Sequence, residues 1–196
     1  MDLKNYAVSE AKDALAVLKF DKVKMAHVGG KIESTRNGII ILLVPAVFNI
    51  IFGALSFPSG FSAIFSRYLI WPLLIPVFSF VGMVFGVSFV ARKYFHGVGH
   101  DIEFFRVLSY ASIVSWLSIP AGLLSILGIF DVFNLLSLIN LIFIVFVFAV
   151  SYHMLLDYHK VHKDDAVKII VIGVLGYFVI QWILGRILVG SVYRYF

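Results

Sequence analysis

Four stretches of this chain, residues 38–57, 68–91, 107–128 and 132–156, contain no Asp, Glu, Lys or Arg. Each is about as long as the ~20 residues a helix needs to cross a ~30 Å hydrocarbon layer. A fifth stretch, residues 166–189, carries only Lys168 near its start and Arg186 near its end, two long cations that reach an interface by snorkelling. No other feature restricts the fold as much. At 196 residues, 61% hydrophobic, with a mean hydropathy of +1.00, the chain has more apolar surface than one water-soluble core can hide, so its solvent is lipid. Runs such as residues 141–150 are apolar throughout, without the period-two alternation of a membrane β-strand. The predicted fold class is all-α: a polytopic transmembrane bundle of five spanning helices, residues 38–196, preceded by an amphipathic or flexible cytoplasmic segment, residues 1–37.

Loop charge sets the expected orientation. Thirteen of the sixteen Lys and Arg residues lie before the first span, between the second and third, or between the fourth and fifth; only Arg67, Arg186 and Arg194 lie on the other side. Because Lys and Arg in short loops stay in the cytoplasm, the N-terminus is expected inside and the C-terminus outside. Phe57, Phe61, Tyr68, Trp71, Tyr193 and Tyr195 form the expected outer aromatic belt, and Tyr94, Phe95, Phe104, Tyr152 and Tyr158 the inner one. No cationic, then apolar, leader with a cleavage site opens the sequence, so residues 38–57 are expected to direct insertion. The net charge of +5 is spread over both faces and mixed with acids, which reads as attraction to anionic lipid headgroups and not to nucleic acid. With no Cys, disulfides, thiolate catalysis and Cys-ligated zinc are all excluded.

Within the polar segment, SEAKDALAVLKF (residues 9–20) predicts a short surface helix capped by Ser9, with Ala11, Leu15 and Leu18 facing the membrane. In the third span Ala111, Ser115, Ser118, Gly122 and Ser125 recur at helical spacing, and the second span has Ser79, Gly82 and Gly86, the last two a GxxxG pair. These small-residue stripes are expected to pack on each other or on a second copy. Pro45, Pro72, Pro76 and Pro120 are expected to kink their helices. The strongly polar groups deep in the spans are Asn49, Asn140 and Gln181; as uncompensated amides are costly in hydrocarbon, each is expected to bond across helices. No Asp, Glu, Lys or His occupies the centre of a span, unlike the usual ion-coupled transporter.

Chemistry-bearing patterns are sparse. All six histidines fall in or beside cytoplasmic segments, and His96, His100, His159 and His162 are the metal-ligand candidates, four and three residues apart in two neighbouring loops. Gly97 and Gly99 oppose the helix that would align the first pair, and no HExxH pattern exists, so solvated loop histidines and no metal or other cofactor are expected. FPSGFSAIFSR (residues 57–67) is similar to part of the lipid-phosphate phosphatase signature, but Phe61 stands where that family has its catalytic His. There is no GxSxG elbow either, and no catalytic residue is expected.

The stretch RKYFHGVGHDIEFFRVLSYAS, with its cation pair, Gly97-x-Gly99 turn, Phe104 and Tyr110-Ala111-Ser112, resembles the central signature of the Yip family of five-span, Ypt/Rab-interacting membrane proteins. YHKVHKDDAVKIIVIGV (residues 158–174) is similar to that family's His-bearing last loop. The resemblance covers about residues 38–190. Ile113 and Val114 stand where the family has a Pro, and the long N-terminal region with its Asp-Leu-Tyr-Gly-Pro motif is missing, so Rab binding does not carry over. The resemblance implies the compact prokaryotic branch, in a plasma membrane, with an ER or Golgi membrane implied for a eukaryotic source. Gly97 and Gly99 are expected to turn the backbone, Phe104 and Phe105 to anchor a short interfacial helix, and His100, Asp101 and Glu103 to face a partner.

The function these features predict is a non-enzymatic scaffold that organises membrane or trafficking partners at its cytoplasmic face, in contact with lipid, a cytoplasmic protein and further copies of itself. The alternative is a conduit or scramblase for lipid or a small neutral solute, motivated by Asn49, Asn140, Gln181 and the serines of the third span.

Overall fold

The computed structural model describes residues 3–56, 67–127 and 132–189. Phe57, Phe61, Tyr193 and Tyr195 of the expected outer belt, and the turn at residues 57–66, lie outside the described residues. Among the described residues there is no strand. Helices α1 (Leu3–Leu18) and α2 (Lys22–Gly30) precede α3 (Glu33–Ser56), α4 (Arg67–Phe95), α5 (Asp101–Ala111), α6 (Ser118–Ile126), α7 (Val132–Asp157) and α8 (Lys163–Leu184). A 3₁₀ segment, Ser112–Leu117, joins α5 to α6, and a π-helical turn, Gly185–Val189, follows α8. Five helical stretches, Glu33–Phe52, Leu74–Phe95, Asp101–Leu124, Leu138–Asp157 and Lys163–Leu188, are long and apolar enough to cross a membrane. The chain is a multi-pass helical membrane protein.

The third span begins earlier than its apolar run. Asp101 and Glu103 occupy the first turn of α5, where carboxylates favour the positive end of the helix dipole, and the helix continues unbroken past Arg106. Phe104 is fully buried and Phe105 is buried too, so they pack inside the bundle instead of anchoring a separate helix among headgroups. Arg106 is tolerated because Nη1 donates to the Gly29 carbonyl at 2.8 Å and Nε to Thr35 Oγ1 at 2.8 Å, satisfying a carbonyl at the C-terminal end of α2.

The polar segment is built into the bundle. Helix α1 starts at Leu3, not at a Ser9 cap, and it packs on α5, α2 and α7. Its buried residues are Glu10, Asp13, Ala14 and Val17, while Ala11 and Leu15 are exposed. Asp21 caps α2 by accepting from the Val23 and Lys24 amides at 3.0 and 3.1 Å.

Lipid is as apolar as Leu, so helices in it associate through close contact and hydrogen bonds and not through area removed from water. Close contact explains several glycines. A Cβ on Gly122 would lie 2.4 Å from Phe52 of α3, one on Gly173 2.5 Å from Val87 of α4, and one on Gly82 3.1 Å from Ile180 of α8. Gly122 of the third span thus meets α3 and Gly82 of the second meets α8, while Gly86 has open space around it.

Proline produces the clearest hydrogen-bond consequence. Pro45 lies inside α3 and has no N–H to donate to the Ile41 carbonyl four residues earlier. Trp116 of the third span supplies the missing donor, its Nε1 bonding Ile41 O at 3.0 Å. Likewise Pro120 withholds a donor from α6, and the 3₁₀ segment directly precedes it. Ser109 near the end of α5, and Ser112 and Ser115 in the 3₁₀ segment, each donate their hydroxyl to the carbonyl three residues back, at 2.8, 2.5 and 2.7 Å. Trp116→Phe should lower the stability of the detergent-solubilised protein by about 1 kcal/mol, the usual worth of such a bond. In a Pro45→Ala background, where α3 regains its own donor, the same change should cost almost nothing; equal thermal shifts in both backgrounds would refute the indole's role.

Candidate functional site

The loops 96–100 and 158–162 meet at the end of the bundle that also carries α1 and α2, here called the basic end. Val98 N donates to His159 O at 3.0 Å, and Gly97 N to Ala91 O at 2.9 Å. The left-handed residues of the two turns are His96 (φ 55°) and Lys160 (φ 54°), not the glycines. Gly97 and Gly99 are instead required for space. A Cβ on Gly99 would stand 2.9 Å from three atoms of the His159 ring, and one on Gly97 3.1 Å from the Ala91 carbonyl and 3.3 Å from His159 Cβ. The GxG sequence is therefore a seat for an imidazole, and Phe104 closes it with an edge contact, ring centroids 5.3 Å apart. This joins the signature residues Gly97, Gly99 and Phe104 to the histidine of the last loop.

His159 is only 1% exposed, and Nδ1 has no hydrogen-bond partner. Burial drives its pKa down to about 4; the Asp101 charge opposes the shift, and Arg92 and His100 add to it. The imidazole is thus neutral at physiological pH. The other candidate ligands do not join it. His96, His100 and His162 are exposed, and among the described residues no group of three His, Asp or Glu could hold a metal ion. Asp101 is turned to Arg92, with which it forms an ion pair, and Glu103 is half-buried, leaving His100 the exposed member of the expected partner motif.

A second polar cluster at the same end is one that sequence reasoning misses. Glu10 accepts hydrogen bonds from Lys31 Nζ and Tyr110 Oη. Asn37 Nδ2 donates to Tyr6 Oη at 2.7 Å and to Tyr110 Oη at 3.3 Å. Burial alone would raise the Glu10 carboxyl, but the bonds from Lys31, Tyr110 and Asn37 outweigh it and hold the carboxyl below its ordinary value. Lys24 pairs with buried Asp13 at 2.9 Å, and Lys22 with Asp157 at 2.8 Å. Tyr110, the first residue of Tyr-Ala-Ser, is thereby the point where α1, α3 and α5 are tied together. The usable signal in the sequence is the spacing of Glu10, Asp13, Ala14 and Val17, an i, i+3, i+4, i+7 face that hydrophobicity alone does not reveal.

Deep in the spans two of the three amides line one cavity of about 190 Å³. Asn49, Asn140, Ser115, Ser118 and Tyr177 supply its polar lining, and Pro45 and Pro76 stand beside them. Asn49 Nδ2 donates to Ser118 Oγ at 3.1 Å, bonding the first span to the third. Gln181 does not line the cavity; its Nε2 donates to Tyr177 Oη at 3.0 Å, one turn along α8. Asn140 is exposed and makes no hydrogen bond among the described residues. On the basic-end side, Phe80, Met83, Phe143 and Val147 leave no water-sized space, and the Phe80 and Phe143 rings lie 5.8 Å apart.

Comparison with protein-family models, with curated proteins and with solved structures finds no match to this chain.

The buried imidazole predicts a specific pH response. Its folded pKa lies below the ordinary 6.5, so the unfolded chain binds the proton more readily, and stability is complete above about pH 6.5 and falls as pH drops towards 4. The full loss is on the order of 3 kcal/mol, about half of it above pH 5 and so separable from carboxylate titration. His159→Phe, which keeps a flat ring against Gly99, should flatten thermal stability between pH 6.5 and 5. An unchanged slope would show that another group titrates.

Proposed function

We propose that this chain is a non-enzymatic scaffold of the membrane, its basic end cytoplasmic, which organises partners through that end. The observation that carries the reading is the way the N-terminal segment folds. Glu10 and Asp13 of α1 point into the bundle, while Lys12 and Lys19 of the same helix are exposed. Those two lysines border a surface hollow together with Leu15, Ala16 and the single anion Asp21. Helix α1 is fixed to the third span by the Glu10–Tyr110 bond, and α2 beside it to the end of α7 by the Lys22–Asp157 pair, so the cations are presented on a rigid support, which keeps the ordering cost of binding low. An acidic protein segment carrying an apolar side chain fits such a surface. Loop charge supports the cytoplasmic placement.

The resemblance to the compact prokaryotic Yip branch, and with it a plasma-membrane location, agrees with this reading. Gly86, with open space around it, is the residue of the GxxxG pair available to a second copy. The space between Phe80, Met83, Phe143 and Val147 next to the cavity has no water-sized room, which supports the scaffold over a conduit.

Two measurements test the proposal together. Purified protein in liposomes should pass glycerol no faster than empty vesicles, and a photo-cross-linker at Lys19 should form protein adducts in native membranes that Lys12→Glu abolishes. Flux above the empty-vesicle rate, or adducts indifferent to the charge reversal, would overturn it.

A further inference from the structure

The cavity between α3, α4, α6, α7 and α8 is independent of the basic end. Counted along the helices, Asn140 lies roughly 25 Å from the end of α7 at Asp157, and Asn49 roughly 24 Å from Glu33 at the start of α3. Both are therefore nearer the opposite side of the bilayer. At that depth an amide without a partner is costly, and Asn140 has none among the described residues although it stands exposed at the lip. Opposite it, Ser118 Oγ accepts from Asn49, and Ser115 Oγ spends its proton on the Ser112 carbonyl, so both hydroxyl oxygens keep lone pairs facing the cavity. Acceptors and amide donors thus converge on one space.

We propose that this cavity is a binding site for a small uncharged molecule bearing two or more hydroxyl groups. Size and charge define the class. A volume of about 190 Å³ matches roughly six waters at their liquid volume, and is smaller than the ~300–1,000 Å³ of drug-sized pockets. The lining holds no Asp, Glu, Lys, Arg or His, so an ion would lose its hydration with nothing to replace it. Asn49, Asn140 and Tyr177 offer donors and acceptors side by side, the arrangement that adjacent hydroxyls of a polyol satisfy. On the basic-end side, the space between Phe80, Met83, Phe143 and Val147 has no room for a water-sized molecule. The same hydroxyl chemistry can arrive as a free polyol or as the glyceryl group of a neutral lipid.

The absence of Cys makes the test direct. The full chain carrying Ser115→Cys is placed in phosphatidylcholine nanodiscs and its thiol is timed against a neutral and a cationic methanethiosulfonate. The neutral reagent should react at least about tenfold faster, and glycerol should slow it at least about threefold, while a control thiol from Lys19→Cys is unaffected by glycerol. Protection by diacylglycerol in the disc but not by free glycerol would assign the ligand to lipid. Adding Asn140→Leu should remove the protection without moving the elution volume or the melting temperature. A thiol unreactive to both reagents, equal rates for the two, no protection by either glyceryl compound, or protection that survives Asn140→Leu would each overturn the site. Glycerol flux into liposomes reads the scaffold proposal separately.

Discussion

Lipid offers a backbone no hydrogen bonds, and that single constraint accounts for much of this structure. A spanning helix satisfies itself until a proline interrupts it, and each interruption then demands a donor from elsewhere. At Pro45 the donor is the Trp116 indole, which fixes the third span against the first at a defined height. The 3₁₀ stretch before Pro120 is held by serine hydroxyls that bond their own preceding turn. Between these repairs the helices come together where Gly122, Gly173 and Gly82 remove side chains from the interface. The cavity that Asn49 and Asn140 line lies among the same elements, bordered by Pro45, Pro76 and Ser115.

At the basic end water returns and the logic changes. Ion pairs and buried carboxylates become usable, and Glu10 can sit inside protein because Lys31, Tyr110 and Asn37 all donate to its neighbourhood. One hydrogen-bonded cluster thus converts a polar segment into a folded cap on the spans. His159 does the corresponding work for the last loop through a different device, a neutral ring pressed between two glycines and a phenylalanine.

The legible part of the sequence was the part written in charge and hydrophobicity. Four charge-free runs of spanning length and a fifth with a cation near each end locate five spans, and their sum of apolar residues admits no soluble fold. The start of the third span was not legible, because Asp101, Glu103 and Arg106 look like loop residues until their partners Arg92, Thr35 and Gly29 are known. The buried face of α1 is hidden for a related reason: apolar periodicity alone assigns Glu10 and Asp13 to the water side, and only the partners that neutralise them turn them inward. Gly97 and Gly99 were recognisable as a motif, but their use as space for a histidine sixty residues later depends on a long-range contact that no local pattern encodes. Asn49, Asn140 and Gln181 stand out in the sequence as deep amides, but of the three only Asn49 bonds across helices among the described residues, and the cavity that Asn49 shares with Asn140 depends on the relative rotation of α3 and α7.

Amide hydrogen exchange of the protein in nanodiscs tests most directly the claim that residues 3–30 belong to the bundle. The amides of α1 and α2 should exchange far more slowly than those of a free peptide, and Glu10→Ala should release them selectively while α4 and α7 stay protected. Exchange of α1 and α2 at free-peptide rates in the unaltered protein would contradict the account.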